Sequence, residues 1–319
     1  MRSQRKARAG LLWVAAGACL WGTDTVFRRP LTGTLDSLTI VLLEHLITAL
    51  VLLPSLWFHR REWLRLRAAE WAAVIGIAWG GSALATVLFT EAVRGGNPTT
   101  AVLLQKSQPM IAALLAGLFL SEPLGAGFWT RLAAATGGAY LISFGAHAPS
   151  TTGSGAASLL ALGAAALWAA STVLGRYMLR NVSASTLTAL RLTVALPVLM
   201  LGVSWQYPGF HIAIGARQAS WLVLLALVPG VSALMIYYRG LRSSFASRAA
   251  VAELCFPATA ILLNRIFFGT RLSVEQGAGF LLLIAAILSW QGRRTKPIRE
   301  TDCATVSQAV PAPPLASRN

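Results

Sequence analysis

Charge is scarce in this chain. Asp, Glu, Lys and Arg make up only 12% of it, against roughly 25% in an ordinary soluble domain, which argues against a water-solvated globule. Acidic residues are scarcer still, 11 against 27 basic ones. Three cysteines, Cys19, Cys255 and Cys303, are too few and too scattered for a disulfide framework or a metal-ligand spacing. The histidines, His45, His59, His147 and His211, lie far apart, and neither His-Glu-x-x-His nor Gly-x-Ser-x-Gly occurs, so no catalytic residue is read and no enzyme is expected. A Gly-rich phosphate loop ending in Lys-Ser or Lys-Thr is missing too. The longest connection, Gln206 to Ser220, is too short for a nucleotide-binding domain, and no cofactor or metal ion is implied.

Apolar residues are what the chain has in abundance, 55% of the total. They gather into blocks near the ~20 residues that cross a bilayer as a helix. With Gly, Pro and charge clusters as punctuation, ten blocks emerge: Leu11 to Phe27, Ser37 to Phe58, Trp71 to Ala92, Pro98 to Leu120, Phe128 to Ala146, Ala156 to Tyr177, Ala184 to Trp205, Trp221 to Tyr238, Ser247 to Phe268 and Ser273 to Trp290. The fold class expected is an all-α membrane protein. Arg2 to Arg8 before an apolar run resembles a signal peptide, but nine further spans favour an uncleaved first helix.

The blocks fall into two similar halves. Leu20-Trp21, Thr25-Val26 and Arg29 return 147 positions later as Leu167-Trp168, Thr172-Val173 and Arg176. Trp71, Gly80 and Ser82-Ala83-Leu84 return 150 later as Trp221, Gly230 and Ser232-Ala233-Leu234, and Pro109 matches Pro257. The domains expected are an N-terminal tail over 1–10, a first five-helix repeat over 11–147, a second over 155–292 and a disordered basic, then Pro-, Ala- and Ser-rich, tail over 293–319. Five spans per half make the second half enter the membrane from the opposite side, so ten transmembrane helices form two inverted repeats, a construction common in secondary transporters.

The net charge of +16 is a record of topology rather than of a nucleic-acid partner. With the N-terminus in the cytoplasm, nineteen Lys and Arg residues fall in inner segments against six in outer ones, the positive-inside bias. Both termini are then cytoplasmic in the cell (inner or plasma) membrane, with anionic lipid as a contact. Trp13, Trp57, Trp63, Trp71, Trp205, Trp221 and Trp290 sit near span ends as an aromatic belt.

The doubled five-helix unit, the Leu-Trp pair opening each half and the Pro near the middle of each fourth helix resemble the EamA-type members of the drug/metabolite transporter superfamily. Leu118-Phe119-Leu120-Ser121-Glu122-Pro123-Leu124 is similar to that family's apolar stretch ending in Glu; the second half departs from it at Phe267-Phe268-Gly269-Thr270-Arg271. The resemblance covers Gly10 to Arg293. It implies two inverted five-helix bundles around a central cavity, and export of small metabolites such as amino acids.

Ionisable residues inside spans are costly, about 2.5 to 3.5 kcal/mol on insertion scales, and mark transport paths. Asp24, Glu44, Lys106, Arg191 and Glu253 qualify, with His45 beside Glu44. Glu44 aligns with Arg191, and Gln105 with Glu253, one residue before Lys106. Two pairs of swapped polarity, Glu44 with Lys106 and Arg191 with Glu253, would neutralise the set; a cross-repeat pair of Glu44 with Arg191 is the alternative. Asp24 has no evident partner, which makes it the candidate for proton coupling, with structural glue the plainer role for the pairs. Pro109 and Pro257 break their helices and free the carbonyls of Gln105 and Glu253, where Gln105, Lys106 and Gln108 offer donors and acceptors. Trp21, Trp168 and Tyr237 complete the candidate cavity wall. The expected function is a secondary transporter by alternating access, with a small-molecule substrate and protons as the candidate coupling ion; a proton-independent facilitator and a non-transporting integral protein are the alternatives. Small-xxx-small patterns are too common in this chain to give an oligomeric state.

Overall fold

The computed structural model describes residues 2–95, 98–145, 155–207, 214–268 and 273–291. His147, His211, Cys303, the segment 269–271 and the tail over 293–319 lie outside the described residues.

The described chain is helical, without strands. In order run α1 (Ala9–Thr32), α2 (Ser37–Phe58), α3 (Ala68–Val93), α4 (Thr100–Leu120), α5 (Ala126–Phe144), α6 (Gly155–Met178), α7 (Ala184–Gln206), α8 (Ala216–Leu241), α9 (Ala246–Leu263) and α10 (Val274–Leu288). Eight of these are long and apolar enough to cross a membrane; α10 is apolar but only 15 residues long, and α5, of 19 residues, is diluted by Arg131, Gly137 and Gly138. Side chains cap several starts. Asp36 accepts the Leu38 and Thr39 N–H groups at 3.0 Å, Ser183 that of Thr186, and Ser273 that of Gln276, satisfying first-turn donors that have no partner within their helix.

The polarity of the molecule is reversed relative to a soluble protein. Leu50, Leu53, Leu118, Phe119, Leu201 and Leu281 are at least half exposed, whereas His45, Glu70, Lys106 and Glu122 are buried. Only a solvent as apolar as lipid makes that arrangement stable.

Breaks recur in matching places. α4 is interrupted at Lys106-Ser107 before Pro109, and α9 at Glu253-Leu254 before Pro257. Each third helix of a half also widens into a π-helical segment, Gly76–Leu84 in α3 and Ala226–Ser232 in α8, beginning 150 positions apart. α1 has a further break at Gly22-Thr23.

Contacts between the halves are reciprocal. α1 packs on α8 and α6 on α3, so the first helix of each half meets the third helix of the other. The remaining counterparts meet directly and run antiparallel. Arg131 bonds Ser289 while Gln276 bonds the Ile142 carbonyl across α5 and α10, and Gln108 bonds Glu253 while Glu122 bonds Ser247 across α4 and α9. At the α5 and α10 crossing a Cβ on Gly138 would lie 2.8 Å from the Gly279 carbonyl oxygen, and one on Gly279 would lie 2.7 Å from that of Gly138. Backbone meets backbone there, the close approach that small residues permit between helices in lipid.

Candidate functional site

Three polar clusters occupy the interior. In the first, the break after Trp21 starts a new helical piece at Asp24, and the four-residue spacing brings Arg28 back over it. Arg28 donates Nε to Asp24 Oδ1 at 2.7 Å and Nη2 to Asp24 Oδ2 at 2.6 Å, and reaches across to Glu44 Oε2 on α2 at 2.9 Å. Two carboxylates thus share one guanidinium. His45 beside them is buried, its Nδ1 bonded to the Val41 carbonyl at 2.9 Å and its Nε2 without a partner.

The second cluster centres on Arg191 of α7. Its Nε donates to Ser82 Oγ at 2.8 Å, within the π-helical segment of α3, and its Nη1 to the Tyr238 hydroxyl at 3.0 Å. The third centres on Glu253 at the break in α9, which accepts from the Tyr237 hydroxyl at 2.7 Å, Gln108 Nε2 at 2.8 Å and Thr172 Oγ1 at 3.1 Å. Tyr237 and Tyr238 are buried neighbours with ring centroids 5.4 Å apart, the first bonded to Glu253 and the second to Arg191, so the two clusters abut through packed rings.

Of two hollows among the described residues, the smaller one adjoins the Glu253 cluster. The larger, about 290 Å³, lies where the ends of α1, α3 and α7 meet the start of α2, lined among others by Thr32, Asp36, Val41, Thr86, Thr90 and Tyr207. A smaller one of about 40 Å³ lies between the breaks in α4 and α9, with Gln105, Lys106, Gln108 and Glu253 around it. Aromatic pairs flank the centre in swapped positions: Trp21 of α1 lies 4.9 Å from Tyr237 of α8, and Trp168 of α6 lies 5.5 Å from Phe89 of α3. Trp168 follows Trp21 by 147 positions and Tyr237 follows Phe89 by 148.

The sequence matches the profile of the EamA-like transporter family over residues 8–144 and 155–289. The chain belongs to that family. It is therefore a multi-pass membrane protein of transporter type. The riboflavin transporter ImpX of Fusobacterium nucleatum is 32% identical over 292 residues, covering 88% of this chain and 96% of the relative. The uncharacterized transporter YwfM of Bacillus subtilis is 24% identical, covering 87% of this chain and 92% of its own. A solved crystal structure superposes with a TM-score of 0.74 over 88% of this chain and 96% of that one, at 17% identity, a likeness of fold.

Within this EamA-type frame the charge pairing differs from the sequence expectation. Asp24 is not unpaired, because Arg28 one turn later neutralises it. Glu44 takes the same Arg28, so neither the Glu44 pair with Lys106 nor that with Arg191 forms. Arg191 and Glu253 are joined through the two tyrosines rather than by a direct ion pair. Lys106 is 8% exposed and makes no ion pair among the described residues. The Glu253 carbonyl is not left free by Pro257 either, since the Phe256 N–H closes a turn onto it at 3.0 Å.

Several residues of consequence escaped the sequence reading. Arg28 stands one residue past the block that ends at Phe27, although Asp24 and Arg28 have the spacing of a helical ion pair. Ser82 and Thr172 carry no signal beyond their recurrence between the halves, and Tyr238, like Tyr237, reads in the sequence only as a cavity or interface anchor. Among the described residues no group of three His, Cys, Asp or Glu side chains could hold a metal ion.

Proposed function

We propose that this chain is a secondary transporter whose ten spans form two inverted halves, and that it moves a flavin-like amphipathic metabolite by alternating access. The observation that carries this reading is the 290 Å³ hollow bounded by both halves, a size at the low end of small-molecule sites. The antiparallel run of counterpart helices supports inversion, and the near full-length similarity to a riboflavin transporter supports the substrate class.

The arginine distribution puts both termini in the cytoplasm, with the larger hollow facing outward. Net direction then follows the gradient, and export is the direction the family resemblance implies. Proton coupling is assigned to the Arg28 cluster, where two carboxylates on one base leave a negative charge that a proton would neutralise.

Proteoliposomes preloaded with riboflavin should accumulate labelled riboflavin by counterflow, and those preloaded with amino acids should not. Amino-acid counterflow alone would move the substrate class back to the family's general expectation, and no counterflow with any metabolite would favour a non-transporting protein. Glu44→Gln should abolish the effect of an imposed pH gradient on net flux while leaving counterflow in place. A wild type indifferent to that gradient is a facilitator. For topology, Ser150→Cys in a Cys303→Ala background should react with an impermeant reagent from outside, and Arg5→Cys should be shielded.

A further inference from the structure

Thr86 and Thr90 of α3 line one wall of the larger hollow, and Ser82, outside that lining, continues their row of hydroxyl groups along the helix. Ser82, Thr86 and Thr90 are spaced four apart and therefore share a helix face. The Thr90 hydroxyl donates to the Thr86 carbonyl at 2.8 Å, and the Thr86 hydroxyl to the Ser82 carbonyl at 2.8 Å. Ser82 Oγ in turn accepts from Arg191 Nε. A hydroxyl has one proton and two lone pairs. With those protons committed to the helix, Thr86 and Thr90 have only acceptor capacity left for a ligand in the hollow.

The opposite side of the lining is mixed, Gln206 bringing an amide and Tyr207 a phenol. Asp36 accepts from Leu38 N, Thr39 N and the Thr39 hydroxyl, and so donates nothing; among the described residues no Lys or Arg lines the hollow. Leu35, Leu38, Val41, Val87 and Leu199 supply an apolar wall. A ligand complementary to this hollow has an apolar, planar body and an arm rich in hydrogen-bond donors. An anionic group meets the Asp36 carboxyl group there and no Lys or Arg among the described lining residues.

We propose that the Thr86 and Thr90 hydroxyls form the selectivity site for the substrate, accepting from the polyol arm of an uncharged heterocycle and rejecting its phosphate ester. This rests on the flavin reading above and extends it. The ladder runs from the mouth of the hollow to Ser82 and Arg191, so the arm enters along α3 while the ring lies against the leucines and valines.

Binding to the purified protein, read by quenching of flavin fluorescence, and counterflow in proteoliposomes would test it together. Wild type should bind riboflavin at least ~10-fold more tightly than lumiflavin, the same ring with a methyl in place of the polyol and so without the donors the threonines accept, and more tightly than riboflavin 5′-phosphate, whose added negative charge meets the Asp36 carboxyl group. Thr86→Val with Thr90→Val keeps the shape, and should weaken riboflavin ~10-fold while leaving lumiflavin unchanged. Thr86→Ser with Thr90→Ser returns the acceptors and should restore the preference. Equal weakening of both flavins, or of neither, overturns the proposal. Threonine-dependent binding without counterflow would instead defeat the transport reading and leave the site standing, and absence of both binding and flux would defeat both.

Discussion

Arg28 governs the charge balance of the interior. Its guanidinium satisfies Asp24 and Glu44 together, with side chains only 26%, 32% and 14% exposed. Removing it leaves two carboxylates facing each other without a counter-charge, and breaking a buried pair from one side costs about 3–5 kcal/mol. Arg28→Met should therefore lower the yield of monodisperse protein and its thermal midpoint sharply. Adding Asp24→Asn and Glu44→Gln to that variant removes the stranded charges and should recover most of the loss, as read by size-exclusion chromatography after heating. No recovery would mean that Arg28 acts through packing of its aliphatic stem. At this scale the sequence was partly legible: of the groups singled out by intramembrane cost, Lys106 is buried and Glu44, Arg191 and Glu253 are partly buried, while the Asp24 side chain stays 32% exposed. Their partners were not legible, because a partner is set by helix rotation and by which half packs where. Tyr237 and Tyr238 illustrate this, since consecutive positions on one helix reach Glu253 and Arg191 respectively.

Helix breaks were foreseeable, and helix widenings were not. Pro109 and Pro257 announce their breaks through a missing N–H and a ring clash with the preceding turn, although α2 carries Pro54 without a break. The π-helical segments of α3 and α8 leave no such residue code, although they recur at the same place in both halves. Packing at the α5 and α10 crossing gives a contrast between adjacent glycines. A Cβ on Gly138 would collide with the backbone of α10, whereas one on Gly137 meets nothing within 4 Å. Gly137→Ala should stabilise the protein by up to about 1 kcal/mol through helix propensity. Gly138→Ala should cost about 1–3 kcal/mol through overpacking, with a matching fall in thermal midpoint. Equal effects at the two positions would mean that α5 and α10 are not in backbone contact.

The two halves are alike in fold and unlike in charge, and the whole molecule reflects that difference. Near the starts of α7 and α9, three carboxylates of the first half hold segments of the second. Glu62 accepts the Ser183 N–H at 2.7 Å, Glu70 accepts from Asn181, and Glu122, turned by the left-handed Ser121, accepts the Ala246 and Ser247 N–H groups at 2.6 and 2.9 Å. At the opposite end the counterpart of the Glu70 contact is neutral, Gln218 donating to the Thr34 hydroxyl at 2.8 Å, and the larger hollow lies on that side. The repeat was legible in the sequence. Its asymmetry was not, since a carboxylate that caps a helix of the other half is identified only once the halves are docked.

An alternating-access cycle must release the carboxylate-held end. Burial opposes ionisation of Glu62, yet the Ser183 N–H, the hydroxyls of Thr186 and Ser183 and the nearby His59 hold its carboxyl below the ordinary 4.5. Its contribution is therefore complete above that value and is lost as pH falls through the lower, folded one. Spin labels at Arg61 and Arg180, both exposed on this face, would report the opening by electron paramagnetic resonance distances. Glu62→Gln and Glu122→Gln should each enlarge the long-distance population at neutral pH, and in the Glu62→Gln protein the further widening on acidification should shrink. Unchanged distances in both variants at every pH would mean that these contacts brace a static end, and the closure needed for transport would have to lie deeper, at the tyrosines between Arg191 and Glu253.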